Sequence, residues 1–186
     1  MNSLVELFFK KAEKINKNKP FLQWLNPKNQ LQYNWGDVTD KVYQLSHKLK
    51  KLIKKGDRVL LLSENRPEWL IADLAIMNSG GITVPIFTTY SEKDYEYILN
   101  DCSPSLIIVS NFSQFEKIKK FTINKKTISF DFINEEIITL EQIYEENFNK
   151  LINYDLNRKM PACIIYTSGT SGNPKGVMLS HGGILS

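Results

Sequence analysis

Residues 58–87 read RVLLLSENRPEWLIADLAIMNSGGITVPIF, and the fold class follows from how that stretch divides. Arg58 to Ser63 carries the unbroken apolar run Val59-Leu60-Leu61-Leu62, which suits a strand buried on both faces. Pro67 sits where a first helical residue needs no N–H, so a helix is expected from Pro67 to Ser79, closed by Gly80-Gly81. Ile82 to Phe87 then reads as a second strand. Leu74 to Ser91 is the longest uncharged stretch, nearly long enough to span a bilayer. It holds Gly80-Gly81 and Pro85, whose backbone breaks a lipid-facing helix would leave unsatisfied, so it reads as buried helix, turn and strand.

The same alternation extends outward. Downstream, Ser91 and Asp94 resemble a capping box for a helix from Glu92 to Asp101. Strands are expected at Leu106–Ser110, Thr127–Phe130 and Ala162–Thr167, with a short helix at Gln114–Phe121 and another over Thr139–Ile152. Upstream, Leu4 to Ile15 has helical spacing, and Phe21–Leu25 and Leu31–Tyr33 flank the turn Asn26-Pro27-Lys28-Asn29 as a β-hairpin. Asn34 is the expected N-cap of a long helix to about Lys54, with Val38, Val42, Leu45, Leu49 and Leu52 as its apolar stripe and Gly56 as its stop. Strands alternating with helices predict an α/β fold, a mainly parallel wound sheet with helices on both faces.

Length and composition narrow the function. The 186 residues fit one domain, and 24 Lys+Arg against 20 Asp+Glu leave only +4, too little and too dispersed to argue for nucleic acid. Cys102 and Cys163 offer neither a disulfide framework nor a metal quartet, which favours a reducing, cytoplasmic compartment. No leader or membrane-spanning segment is read. The lysines at 117, 119, 120, 125 and 126 suit a solvated face, with loose attraction to anionic lipid or acyl substrate as the most they imply.

The chemistry lies near the C-terminus. After the buried strand through Cys163-Ile164-Ile165 the chain runs Tyr166-Thr167-Ser168-Gly169-Thr170-Ser171-Gly172-Asn173-Pro174-Lys175-Gly176, then Val177-Met178-Leu179-Ser180-His181. Glycines admit an anion to the main chain, successive N–H groups form a nest for phosphate oxygens, hydroxyls add donors and Lys175 adds a charge. A Walker loop would need Gly where Pro174 stands and Ser or Thr where Gly176 stands, and a helix rather than the strand-like Val177-Met178-Leu179. This is a different polyphosphate grip. His181 and Cys163 read as structural, as does most of Ser63-Glu64-Asn65-Arg66-Pro67-Glu68-Trp69.

The run YTSGTSGNPKGVMLSH resembles the signature loop of the adenylate-forming superfamily of acyl-CoA synthetases, adenylation domains and firefly-type luciferases. Gly56-Asp57-Arg58-Val59, Ser63 through Trp69, and Tyr97 through Asp101 are similar to its long-chain fatty acyl-CoA synthetases. The resemblance implies a ligase that activates a carboxylic, most simply long-chain fatty, acid with ATP and Mg2+ and passes it to coenzyme A. Thr167, Ser168, Gly169, Thr170, Ser171, Gly172 and Lys175 would hold the β- and γ-phosphates. Aryl-CoA ligases and carrier-protein adenylation domains share the loop, and a non-catalytic nucleotide- or partner-binding domain stays open. The family's adenine, ribose, magnesium and catalytic-lysine motifs would lie beyond Ser186. Residues 1–186 are therefore expected to be the N-terminal part of an AMP-binding domain, inactive alone and with an apolar edge at the last strand.

Overall fold

The computed structural model describes residues 1–25, 30–148, 150, 155–167 and 173–186. An N-terminal helix α1 (Leu4–Lys14) leads into an antiparallel hairpin of β1 (Pro20–Leu25) and β2 (Gln30–Asn34). Its expected turn at 26–29 lies outside the described residues. The body is a seven-stranded sheet in the order β7-β6-β5-β3-β4-β8-β9. Its strands are β3 (Arg58–Leu62), β4 (Ile82–Ile86), β5 (Leu106–Val109), β6 (Lys126–Ser129), β7 (Ile138–Thr139), β8 (Pro161–Thr167) and β9 (Lys175–Ser180). All neighbours pair parallel except β8 with β9, which run antiparallel. The expected α/β class and mainly parallel sheet are what the chain forms.

Continuous apolar strands are needed because both faces are covered. Along β3, Val59 and Leu61 pack into one core and Leu60 and Leu62 into the other; along β5, Leu106 and Ile108 divide from Ile107 and Val109 in the same way. The first core is completed by α1, α2 (Trp35–Leu49), α3 (Pro67–Asn78) and α6 (Leu140–Glu145). The second is completed by α4 (Glu92–Cys102) and α5 (Phe112–Ile118). Capping boxes open three of these helices: Asn34 with Asp37, Ser91 with Asp94, and Thr139 with Gln142. Each satisfies backbone N–H groups that the first turn leaves unpaired.

Three expected boundaries change. The helix from Asn34 ends at Leu49 rather than near Lys54. The Leu52 and Ile53 amides both turn back to the Leu49 carbonyl, Ile53 drops into the core, and Asp57 caps the Lys54 amide. Gly56, at φ +84°, shapes the turn after the helix rather than ending it, and its N–H bonds the Gly80 carbonyl at 2.8 Å. The adjoining Gly80 takes φ +83°, while a Cβ on Gly81 would lie 2.8 Å from Ile53 Cδ1, so each glycine of the pair has its own steric reason. The helix expected over Thr139–Ile152 is the six residues of α6, because Glu146 goes extended and pairs with Lys48 of α2 at 2.5 Å; residues 151–154 lie outside the described set. The two-residue β7 was not read from the sequence, and the segment expected at Gln114–Phe121 starts earlier, as α5, and finishes as a 3-10 turn at Lys119–Phe121.

No described helix is long and apolar enough to cross a membrane. On β9, Val177 and Met178 are exposed, at 46% and 58%, matching the apolar edge expected there.

Candidate polyphosphate-binding site

The strand order fixes where a ligand meets this sheet. From β3 the chain crosses to β4 on one side and returns to β5 on the other, so a crevice opens at the carboxyl ends of these strands. Glu64, just past β3, bridges that crevice. Its carboxylate accepts hydrogen bonds from Ser110 Oγ at 2.5 Å and Gln114 Nε2 at 2.6 Å, with Asn111 Nδ2 at 3.4 Å. Burial alone would raise its pKa, but the bonds from Ser110, its own backbone, Gln114 and Asn111 outweigh that and hold it below the usual carboxylate range. Beside it a cleft of about 520 Å³ is lined by Ser63, Asn65, Trp69, Phe87, Thr88 and Ile165, among others.

β8 ends on the same edge. It pairs parallel with β4 through Thr83↔Cys163, so Thr167 emerges at the carboxyl side of the sheet. β9 returns beside it in a register that sets Thr167 opposite Lys175 and Tyr166 opposite Gly176. Directly opposed residues of an antiparallel pair project from the same face, so Thr167 and Lys175 share one face at the mouth of the connecting loop. Both residues are exposed. Of the seven residues assigned to the phosphate grip, the structure brings these two together; Ser168, Gly169, Thr170, Ser171 and Gly172 lie outside the described residues.

The root of the loop is buried. Tyr166 is 2% exposed, its hydroxyl donates to Asp101 Oδ2 of α4 at 2.5 Å, and its carbonyl accepts from the Tyr90 hydroxyl at 2.9 Å. Burial and the Asp101 carboxylate both push the Tyr166 phenol well above its ordinary range. Gly176 is required on the opposite strand: a Cβ there would lie 3.0 Å from Ile164 Cγ2 and 3.1 Å from Tyr166 Cζ.

A hydroxyl and an ammonium together suit phosphate oxygens. Among the described residues no three His, Cys, Asp or Glu side chains gather as a metal site. The remaining candidates are structural. His181, the residue after β9, is 1% exposed and its Nδ1 accepts from the Leu4 amide at 3.5 Å, tying the end of the described chain to the start of α1; burial lowers its pKa. Cys163 is half-buried, and burial raises its thiol to about 11. In the Asn65–Trp69 stretch, Arg66 forks onto Asp131 at 2.8 and 2.9 Å and reaches Glu68 at 3.1 Å.

The family model described as AMP-binding enzyme matches residues 8–186. The chain belongs to the AMP-binding enzyme family. Among curated relatives of this AMP-binding chain, the rat long-chain-fatty-acid–CoA ligase ACSBG1 is 34% identical over 152 residues, covering 73% of this chain and 21% of that protein. Fatty acyl-CoA synthetase A of Dictyostelium discoideum is 32% identical over 151 residues, covering 72% and 22%. The chain thus spans about a fifth of the length of these relatives. The anthranilate CoA ligase AuaEII, solved with anthranoyl-AMP, superposes at TM-score 0.85 with 24% identity over 97% of this chain and 35% of its own. The luciferase-like enzyme of the mealworm Zophobas morio superposes at 0.86 with 20% identity, over 97% and 43%. At these identities the structural likeness establishes the fold alone.

The contacts missed in the sequence join distant positions: Glu64 to Ser110 across 46 residues, Asp101 to Tyr166 across 65, Tyr90 to Tyr166 across 76. No local pattern marks them.

Proposed function

We propose that this chain is the N-terminal, triphosphate-gripping part of an ATP-dependent carboxylic acid:CoA ligase, and that its acid is a long-chain fatty acid. The observation that carries the reading is the Thr167–Lys175 rung at the ligand edge of an AMP-binding fold. The fatty-acid preference is supported by curated relatives at 30–34% identity that are named as long-chain-fatty-acid–CoA ligases. The anthranilate ligase, at 24%, supports the fold and not an aryl substrate.

In the proposed reaction a carboxylate oxygen attacks the α-phosphorus of ATP in line. The bond from that phosphorus to the α,β-bridging oxygen breaks and pyrophosphate leaves with the electron pair. The thiol of coenzyme A then attacks the acyl carbon, loses its proton to solvent, and expels AMP. This chain's share is to fix the β- and γ-phosphates: Lys175 and the loop donors Thr167, Ser168, Gly169, Thr170, Ser171 and Gly172 meet charge that grows on the departing pyrophosphate. Two cysteines that do not pair with each other support a reducing, cytoplasmic compartment. Ile123, 74% exposed and two residues before the Lys125-Lys126 pair, supports peripheral contact with a membrane.

The test is to express the open reading frame to which this chain belongs and assay acyl-CoA formation from palmitate, benzoate or anthranilate with ATP and coenzyme A. Palmitate is expected to be turned over fastest. Preference for an aryl acid would overturn the substrate, and turnover by residues 1–186 alone would overturn the partial-domain reading.

A further inference from the structure

We propose that Asp101 and Tyr90 are positioning residues that clamp Tyr166 and so hold the mouth of the phosphate loop at working geometry. This rests on the reading that the β8–β9 loop holds triphosphate.

Tyr166 is the last buried residue before the loop, and it is gripped at two points. Asp101, at the end of α4, takes its hydroxyl at 2.5 Å. Tyr90, between β4 and α4, donates to its backbone carbonyl at 2.9 Å. The second bond adds to the sheet pairing. β8 pairs with β4 through Thr83↔Cys163, and three residues on the Tyr90 side chain reaches the Tyr166 carbonyl. The clamp is itself anchored. Tyr95 donates to the Phe87 carbonyl at 3.0 Å, the Ser91–Asp94 box fixes the start of α4, and Arg58 bonds the Cys102 carbonyl at its end.

The geometry transmits across the hairpin. The Tyr166 ring lies against the backbone of Gly176, close enough that a Cβ there would approach its Cζ to 3.1 Å. Tyr166 and Gly176 form one rung, and Thr167 and Lys175 form the next, so fixing the first rung fixes the second. A hydroxyl and an ammonium that must meet one anion lose affinity if their rung frays, because ordering them is then charged to binding.

The experiment uses the whole 186-residue chain with inorganic tripolyphosphate as the probe, titrated calorimetrically, and amide hydrogen exchange on the same samples. Variants are Tyr90→Phe, Asp101→Ala, Asp101→Asn, Lys175→Ala as a ligand control, and Thr139→Ala as a control that removes a helix cap away from the clamp, at α6. Tyr90→Phe and Asp101→Ala are each expected to weaken affinity about fivefold, the loss of one hydrogen bond's worth of order. Asp101→Asn, whose amide oxygen still accepts from Tyr166, should recover most of it, and Thr139→Ala should leave affinity unchanged. Exchange of the amides on the Tyr166–Gly176 and Thr167–Lys175 rungs should speed up at least about tenfold in Tyr90→Phe and Asp101→Ala, with Met178 unaffected.

Unchanged exchange on those rungs in both variants overturns the clamp, whatever the ligand does. Unchanged affinity in both, with Lys175→Ala weakened, also overturns it. If Lys175→Ala binds like the parent, the triphosphate reading falls, and the exchange result still decides the clamp.

Discussion

Replacing Arg66 by alanine separates a structural from a functional role for the stretch around it. The guanidinium is 11% exposed, forks onto Asp131, bonds Glu68, and lies over the rings of Trp24 at 5.2 Å and Phe130 at 5.5 Å. Burial opposes its charge, but the carboxylates of Asp131 and Glu68 outweigh that and keep it protonated at any working pH. Without it, Glu68, whose side chain is 9% exposed, keeps the Tyr33 hydroxyl at 3.1 Å and the more distant charge of Lys41. Stranding a buried partner costs about 3–5 kcal/mol. Asp131 is 49% exposed and regains water, which places the loss at the low end, about 3 kcal/mol. For a domain of this size that lowers Tm by roughly 6–12 °C. Arg66→Lys keeps the charge without the fork and should still lose about 1–2 kcal/mol. Urea unfolding measures both, with the slope m unchanged and tripolyphosphate affinity unaffected below the transition. A loss under about 1 kcal/mol for Arg66→Ala, or a loss of affinity without a loss of stability, would refute the reasoning.

Other consequences are as direct. Gly176→Ala puts a methyl within 3.0 Å of Ile164 and 3.1 Å of Tyr166, so a loss of about 1–3 kcal/mol is expected in a thermal melt, and a neutral result would contradict the packing of that rung. Cys102, raised to about 11 by burial above all, should react with iodoacetamide at neutral pH about a hundredfold more slowly in the native chain than in denaturant; equal rates would show the site is open. Burial holds the His181 ring below its usual titration range, so the unfolded chain binds the proton first. Its contribution to stability is complete above about pH 6.5 and is lost as pH falls below that, and His181→Gln should flatten the acid slope of a urea-midpoint profile. An identical slope in the two proteins would remove that contribution.

Much of the architecture was legible because burial on both faces writes itself as continuous apolar runs. Val59 to Leu62 and Leu106 to Val109 admit no other comfortable setting; Pro67 announces a helix start by having no N–H to satisfy, and Ser91 and Asn34 do so by satisfying donors locally. The end of α2 was misplaced because its lysines continue a helical pattern while Ile53, Asp57 and the Gly80 carbonyl, all tertiary or later in the chain, pull the backbone away. β7 is two residues long and carries no period of its own. At the site, Thr167 and Lys175 were named from local chemistry, and the structure sets them on one rung. The Glu64 bridge and the Asp101–Tyr166–Tyr90 contacts join segments that only the wound sheet brings together, and single residues such as Tyr90 show nothing of that in their neighbours.

Tripolyphosphate binding by the chain and by its Thr170→Ala/Lys175→Ala double variant tests the central claim most directly. The parent should bind, more weakly as salt rises, and the double variant should lose at least about tenfold in affinity, the worth of one charge-assisted contact, with Tm unchanged. Equal affinity in the two proteins would mean that the loop between β8 and β9 does not hold the phosphates.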